Sequence, residues 1–168
     1  MSLEYQSKLN KLLVSGKKNG VFFSYCLKKK GYSDQLIRKY RQSGWLTTLD
    51  KGVMYRTGDS LSSFVVVSCY NEQLNKEVRV AAHSALELLG FNHYVPMGKP
   101  ILMLAFPNSI VPKWILSDCF DKIIKPFSTQ TIDNPQTTTM QVDGVDILLS
   151  SPEQAFMECL LLAPEQYN

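Results

Sequence analysis

"SDQLIRKYRQSGWLTTLDKGVMYRTG", residues 33–58, decides the fold of the first third of the chain. Ser33 is a favoured helix N-cap, and Asp34 suits the positive first turn of a helix. Leu36, Ile37 and Tyr40 recur at i, i+1 and i+4, which makes one buried stripe on a helix over 33–43. Gln35, Arg38, Lys39, Arg41 and Gln42 then point mostly away from that stripe. Gly44 fits the left-handed position that ends a helix. Two short β-prone runs follow, "WLTTLD" and "GVMYRTG", around Asp50-Lys51-Gly52. Gly52 supplies the positive φ that a tight hairpin turn requires.

Working upstream, Leu3, Leu9, Leu12 and Leu13 fall near helical spacing and predict a first helix over 3–14. "SGKKNG" reads as a turn with glycines at both ends. "VFFSYCLKKKG" (21–31) reads as a short second helix, its lysines near the negative C-terminal end and Gly31 closing it. Three helices and a hairpin in this order predict a winged helix-turn-helix over 1–58.

Downstream, "TGDS" (57–60) marks a boundary. "LSSFVVVSCYNEQL" is read as a helix that Ser60 is placed to cap, despite its β-branched run. "EVRVAA" reads as a strand, "HSALELLG" as a helix ended by Gly90, and "ILMLAF" (101–106) as a strand buried on both sides. "DKIIKPFSTQTI" contains another strand, and "MQVDGVDILLS" turns at Asp143-Gly144 between two more. "SSPEQAFMECLLL" opens a helix, with Ser151 as cap, Pro152 at the first position and Gln154 completing a capping box. The expected class is therefore α+β, with a small mixed α/β domain over 59–168 behind the winged helix.

Charge divides the chain at the same place. Residues 1–57 hold 12 Lys and Arg against Glu4, Asp34 and Asp50, whereas 58–168 hold 6 basic and 12 acidic residues. A basic module joined to an acidic one points to nucleic acid as the partner of the first. In a helix-turn-helix the second helix of the motif enters the major groove, which here is the helix over 33–43. Ser33 lies at its start. Gln35 suits adenine, Arg38 or Lys39 suits guanine or phosphate, and Arg41 and Gln42 lie later, Arg41 where backbone contact is expected. The wing is expected to bring Lys51 and Arg56 to flanking phosphates.

Other chemistry finds little support. No Walker loop, G-x-S-x-G elbow or H-E-x-x-H occurs, so no cofactor and no catalytic residue is expected. Asp118, Asp121, Asp133, Asp143 and Asp146 invite a metal-nuclease reading, but no Glu-x-Lys or Gln-x-Lys accompanies them. His83 reads as a helix-start residue, and His83 and His93 lack metal-ligand spacing, so no metal is expected. Cys26, Cys69, Cys119 and Cys159 are scattered, which favours free thiols in a reducing cytoplasm. Tyr94, Trp114 and Phe127 are assigned to core packing rather than to an exposed aromatic surface. No run of apolar residues suffices for a membrane span, and the first residues lack the pattern of a signal peptide.

The segment "GYSDQLIRKYRQSGWLTTLDKGVMYRTGD", with "HSALELLGFNHYVPMG" and "ILLSSPEQAFMECLLLAP", resembles the AbiEi-type antitoxins. These are transcriptional regulators of bacterial abortive-infection, type IV toxin–antitoxin systems. The resemblance implies repression of the protein's own operon through inverted repeats in double-stranded DNA, and paired half-sites of that kind lead us to expect a homodimer on the DNA. It also implies a nucleotidyltransferase-like toxin as functional partner, without a stable complex. Such proteins extend past the helix starting at Ser151, so 59–168 is expected to be the N-terminal part of a longer antitoxin domain. The rival readings are a protein-interaction module with a degenerate winged helix and a metal-dependent nuclease-like enzyme.

Overall fold

The computed structural model describes residues 3–91, 97–128 and 133–166. It divides into two compact units, Met1–Asn75 and Lys76–Asn168.

The first unit begins with α1 (Leu3–Ser15), β1 (Phe22–Phe23), α2 (Ser24–Lys29) and α3 (Asp34–Gln42). The hairpin β2 (Leu46–Asp50) and β3 (Val53–Arg56) follows, and α4 (Ser63–Leu74) closes the unit. The sheet order is β1-β3-β2, antiparallel throughout. This is a winged helix-turn-helix. Its core joins Leu9 and Leu12 of α1, Phe22, Leu27, Ile37, Tyr40, Leu46 and Met54.

Two expectations need correction here. Residues 21–31 are not one helix, because Phe22 and Phe23 pair with Met54 and Val53 before the helix starts. The boundary at 58 follows charge rather than packing, since α4 belongs to the first unit. From Ser63 to Tyr70 every residue of α4 is buried, which explains its β-branched run: a helix enclosed on all sides is apolar on all sides. Its N-cap is Ser62 rather than Ser60. Several contacts fix it to the winged helix. The Gln73 side chain accepts from Phe23 N at 3.1 Å and donates to Val21 O at 2.7 Å, while the Cys26 thiol donates to Gln73 O at 2.7 Å. Gly20 lies so close to Cys69 that a Cβ there would meet the sulfur at 2.7 Å.

The second unit contains β4 (Arg79–Val80), α5 (Ala82–Leu88), β5 (Ile101–Phe106), β6 (Ile123–Ser128), β7 (Thr137–Val142), β8 (Val145–Ser150) and α6 (Pro152–Gln166). Its mixed sheet runs β6-β5-β4-β8-β7, parallel at β5–β6 and β4–β8 and antiparallel elsewhere. As its sequence predicts, β5 is buried from Leu102 to Phe106. Trp114 and Phe127 are buried too, while Tyr94 and His93 lie outside the described residues.

The start of α6 departs from the expected capping box. Ser151 Oγ accepts from Gln154 N at 3.3 Å, but the Gln154 side chain donates to Glu158 Oε1 at 3.2 Å instead of turning back. Glu158 is fully buried and takes three more donors: Arg79 Nη2 at 2.8 Å, Ala82 N at 2.8 Å and Ser150 Oγ at 3.0 Å. Arg79 Nε donates to Ser150 Oγ at 2.9 Å. This network ties β4, α5, β8 and α6 together.

Candidate nucleic-acid interface

The helix-turn-helix consists of α2, the turn around Gly31 and α3. Ser33 caps α3 as predicted, its Oγ accepting from Leu36 N at 3.2 Å. Asp34 lies in the positive first turn and pairs with Lys28 Nζ at 2.7 Å, joining the two helices of the motif. Gly44, at φ +76°, ends the helix, and Trp45 N returns to Tyr40 O at 3.0 Å.

Successive helical residues point about 100° apart. Leu36, Ile37 and Tyr40 face the core, so Gln35, Arg38 and Gln42 lie near the centre of the opposite face, with Lys39 and Arg41 towards its edges. All five are exposed. The side chains of Gln35, Arg38, Arg41 and Gln42 make no hydrogen bond or ion pair among the described residues. Lys39 instead leans on α1, its Nζ 4.5 Å from the centre of the Tyr5 ring. That ring packs against Tyr40 with centroids 5.1 Å apart and planes tilted by 52°, so the cation is steadied by the same aromatic pair that anchors the buried side of α3. The expectation of Lys39 as a DNA contact gave no sign of Tyr5, whose approach depends on tertiary packing.

The wing is short. Asp50 pairs with Val53, leaving only Lys51 and Gly52 at the tip, and Gly52 has φ +77°. Gly52 O accepts from Ser24 N at 2.9 Å, which holds the tip beside the start of α2. Lys51 is exposed there. Arg56 is placed differently from the expected phosphate contact. At the far end of β3 its Nη2 donates to Leu13 O at 2.5 Å and Gly16 O at 3.1 Å. The last carbonyls of a helix lack internal donors, and Arg56 supplies them for α1. Its guanidinium is thus engaged with the protein itself. Trp45, 46% exposed between α3 and the hairpin, is a surface aromatic that sequence reading did not single out.

The candidates for catalysis stay apart. Among the described residues no three His, Cys, Asp or Glu side chains converge as a metal site would require. Asp118, Asp121, Asp133, Asp143 and Asp146 are exposed, with Asp143 in the β7–β8 turn at φ +51°. His83 sits in the first turn of α5, where burial, helped by Lys125, lowers its pKa from the ordinary value. The four cysteines are free. No helix among the described residues is long and apolar enough to cross a membrane.

This architecture defines a winged helix-turn-helix module of the transcriptional-regulator class. The family described as transcriptional regulator, AbiEi antitoxin N-terminal domain, matches residues 5–97, more than half of the chain, and the chain belongs to that family. Among solved structures, the RV2827C protein from Mycobacterium tuberculosis is similar at 18% identity and a TM-score of 0.47, over 76% of this chain and 46% of that one. The chain thus spans about half the length of that protein. No curated protein sequence matches it significantly.

Proposed function

We propose that the first unit binds double-stranded DNA with α3 in the major groove and represses its own toxin–antitoxin operon. The observation that carries this reading is the outward row of Gln35, Arg38 and Gln42, whose side chains have no hydrogen-bond or ion-pair partner among the described residues, flanked by Lys39 and Arg41. Gln35 and Arg38 are the base-reading candidates, for adenine and guanine respectively. Ser33, at the positive end of α3, and Lys51, at the wing tip, approach backbone phosphates, as does Arg41. Arg56 has no place in this set. A homodimer on inverted repeats matches two copies of α3 to two half-sites. The functional partner is a nucleotidyltransferase-like toxin, countered without a stable complex, and the regulator works in the cytoplasm without catalysis or cofactor.

A salt titration of binding to DNA from upstream of the gene tests this. Each neutralised phosphate contributes a slope of roughly −0.9 to log K against log salt, so several contacts give a steep line. A flat line, or no binding, overturns the proposal.

A further inference from the structure

The first unit contains a cleft of about 510 Å³ that the DNA-reading face of α3 does not use. It lies between α1, the end of α2 and α4. Lys8, Lys11, Lys17 and Lys30 are among its lining residues. Glu72 is the only acid among its described lining residues, and Lys17 already neutralises it through an ion pair. Lys8 reaches outward to Glu4 at 3.2 Å, whereas the side chains of Lys11 and Lys30 have no hydrogen bond or ion pair among the described residues. Leu12, Phe22 and Leu27 give the cleft an apolar wall. Gly16 permits that wall, because a Cβ at this position would overlap the Phe22 ring at 2.2 Å.

We infer that this cleft binds a small organic anion that joins an apolar body to a phosphate-type group. Its volume falls within the usual range for small-molecule sites, and it combines apolar lining with two lysines, Lys11 and Lys30, that have no ion-pair partner among the described residues. A DNA duplex is too wide to enter it. The lysines answer the anionic group, and the apolar wall takes the body. Lys30 and Tyr32 belong to the turn joining α2 to α3, so an occupant would touch the segment that sets the position of α3.

The test uses the full chain without DNA, which separates it from the proposal above. Calorimetry with 1-naphthyl phosphate should give saturable binding at one site per chain. Inorganic phosphate and 1-naphthol, carrying the charge or the body alone, should each bind at least about tenfold more weakly. Lys11→Ala and Lys30→Ala should each weaken naphthyl phosphate binding by roughly tenfold, while Lys51→Ala at the wing tip leaves it unchanged. Absence of saturable binding at millimolar probe overturns the inference, as does equal binding by all three variants. Loss of DNA affinity in Lys11→Ala and Lys30→Ala, with no naphthyl phosphate binding in the unaltered chain, would assign these lysines to the DNA backbone instead.

Discussion

α3 and α6 begin alike and end as opposites. Each is opened by a serine whose Oγ accepts from the backbone N–H three residues on, at 3.2 Å for Ser33 and 3.3 Å for Ser151. Beyond the cap, α3 buries Ile37 and Tyr40 and presents charged and amide groups outward. α6 does the reverse: it buries Glu158 and exposes Phe156, Met157, Leu160 and Leu161. A cap therefore fixes where a helix starts and says nothing about which face the core will take. The two helices also differ in how they satisfy what they bury. Glu158 has four hydrogen-bond donors, whereas the Tyr40 hydroxyl, equally enclosed, has no partner among the described residues.

The largest expected effect tests the buried side of α6. Removing one partner of a buried, hydrogen-bonded ion pair strands the other, at a cost of about 3–5 kcal/mol. Glu158→Ala should lower stability by that order in urea unfolding, because Arg79 is only 3% exposed and finds no water in compensation. The double variant Arg79→Met with Glu158→Gln should recover part of the loss, since it leaves no charge behind and keeps an acceptor beside Ala82 N. A single variant costing under about 1 kcal/mol would break the contrast with α3, for Glu158 would then be no keystone.

The outward side of α3 comes next. Arg38→Ala should lose about 1–3 kcal/mol of binding to operator DNA and relax the preference at one base pair. Lys51→Ala should weaken binding evenly across sequences and reduce the salt slope by about 1. If Arg38→Ala instead weakens all sequences evenly, Arg38 is a phosphate contact and base reading shifts towards Gln35. Folding should be nearly unaffected in both variants, as befits exposed side chains without hydrogen-bond or ion-pair partners among the described residues.

How much of this was legible in the sequence follows from the range of each interaction. Ser33, Gly44 and Gly52 act within a few residues, so α3 and the wing could be placed from the chain alone. The outward row on α3 is local as well, being fixed by helical spacing once Leu36, Ile37 and Tyr40 are assigned inward. β1 was not legible, because a two-residue strand has no periodicity and exists only through its pairing with Val53 and Met54. The bonds that Arg56 makes were not legible for the same reason: its partners, Leu13 and Gly16, lie about 40 residues away in sequence. Arg79 and Glu158 are each a single charge within an apolar run, a signal of burial that has meaning only when both are read together. The charge change at 58 is real, but α4 beyond it packs backward onto the winged helix, and charge reports nothing of that.

The smallest effect belongs to Tyr40 and has the opposite sign to that of Glu158. Its hydroxyl is buried without a partner among the described residues, so Tyr40→Phe removes a polar atom and no hydrogen bond seen there. The variant should match the original in stability or exceed it by up to about 1 kcal/mol. Alkaline pH gives a second reading of the same group. Burial, with smaller contributions from Tyr32 and Tyr5, pushes the Tyr40 pKa up from 10.0 to about 12. Above pH 10 the unfolded chain releases this proton while the folded protein still holds it, so stability declines from about pH 10 until the folded group titrates near 12. Thermal unfolding followed across that interval should show a decline that Tyr40→Phe makes shallower. An unchanged slope, or a clear loss of stability at neutral pH, would mean that the Tyr40 hydroxyl is bonded after all, and the two helices would then bury their polar groups on equal terms.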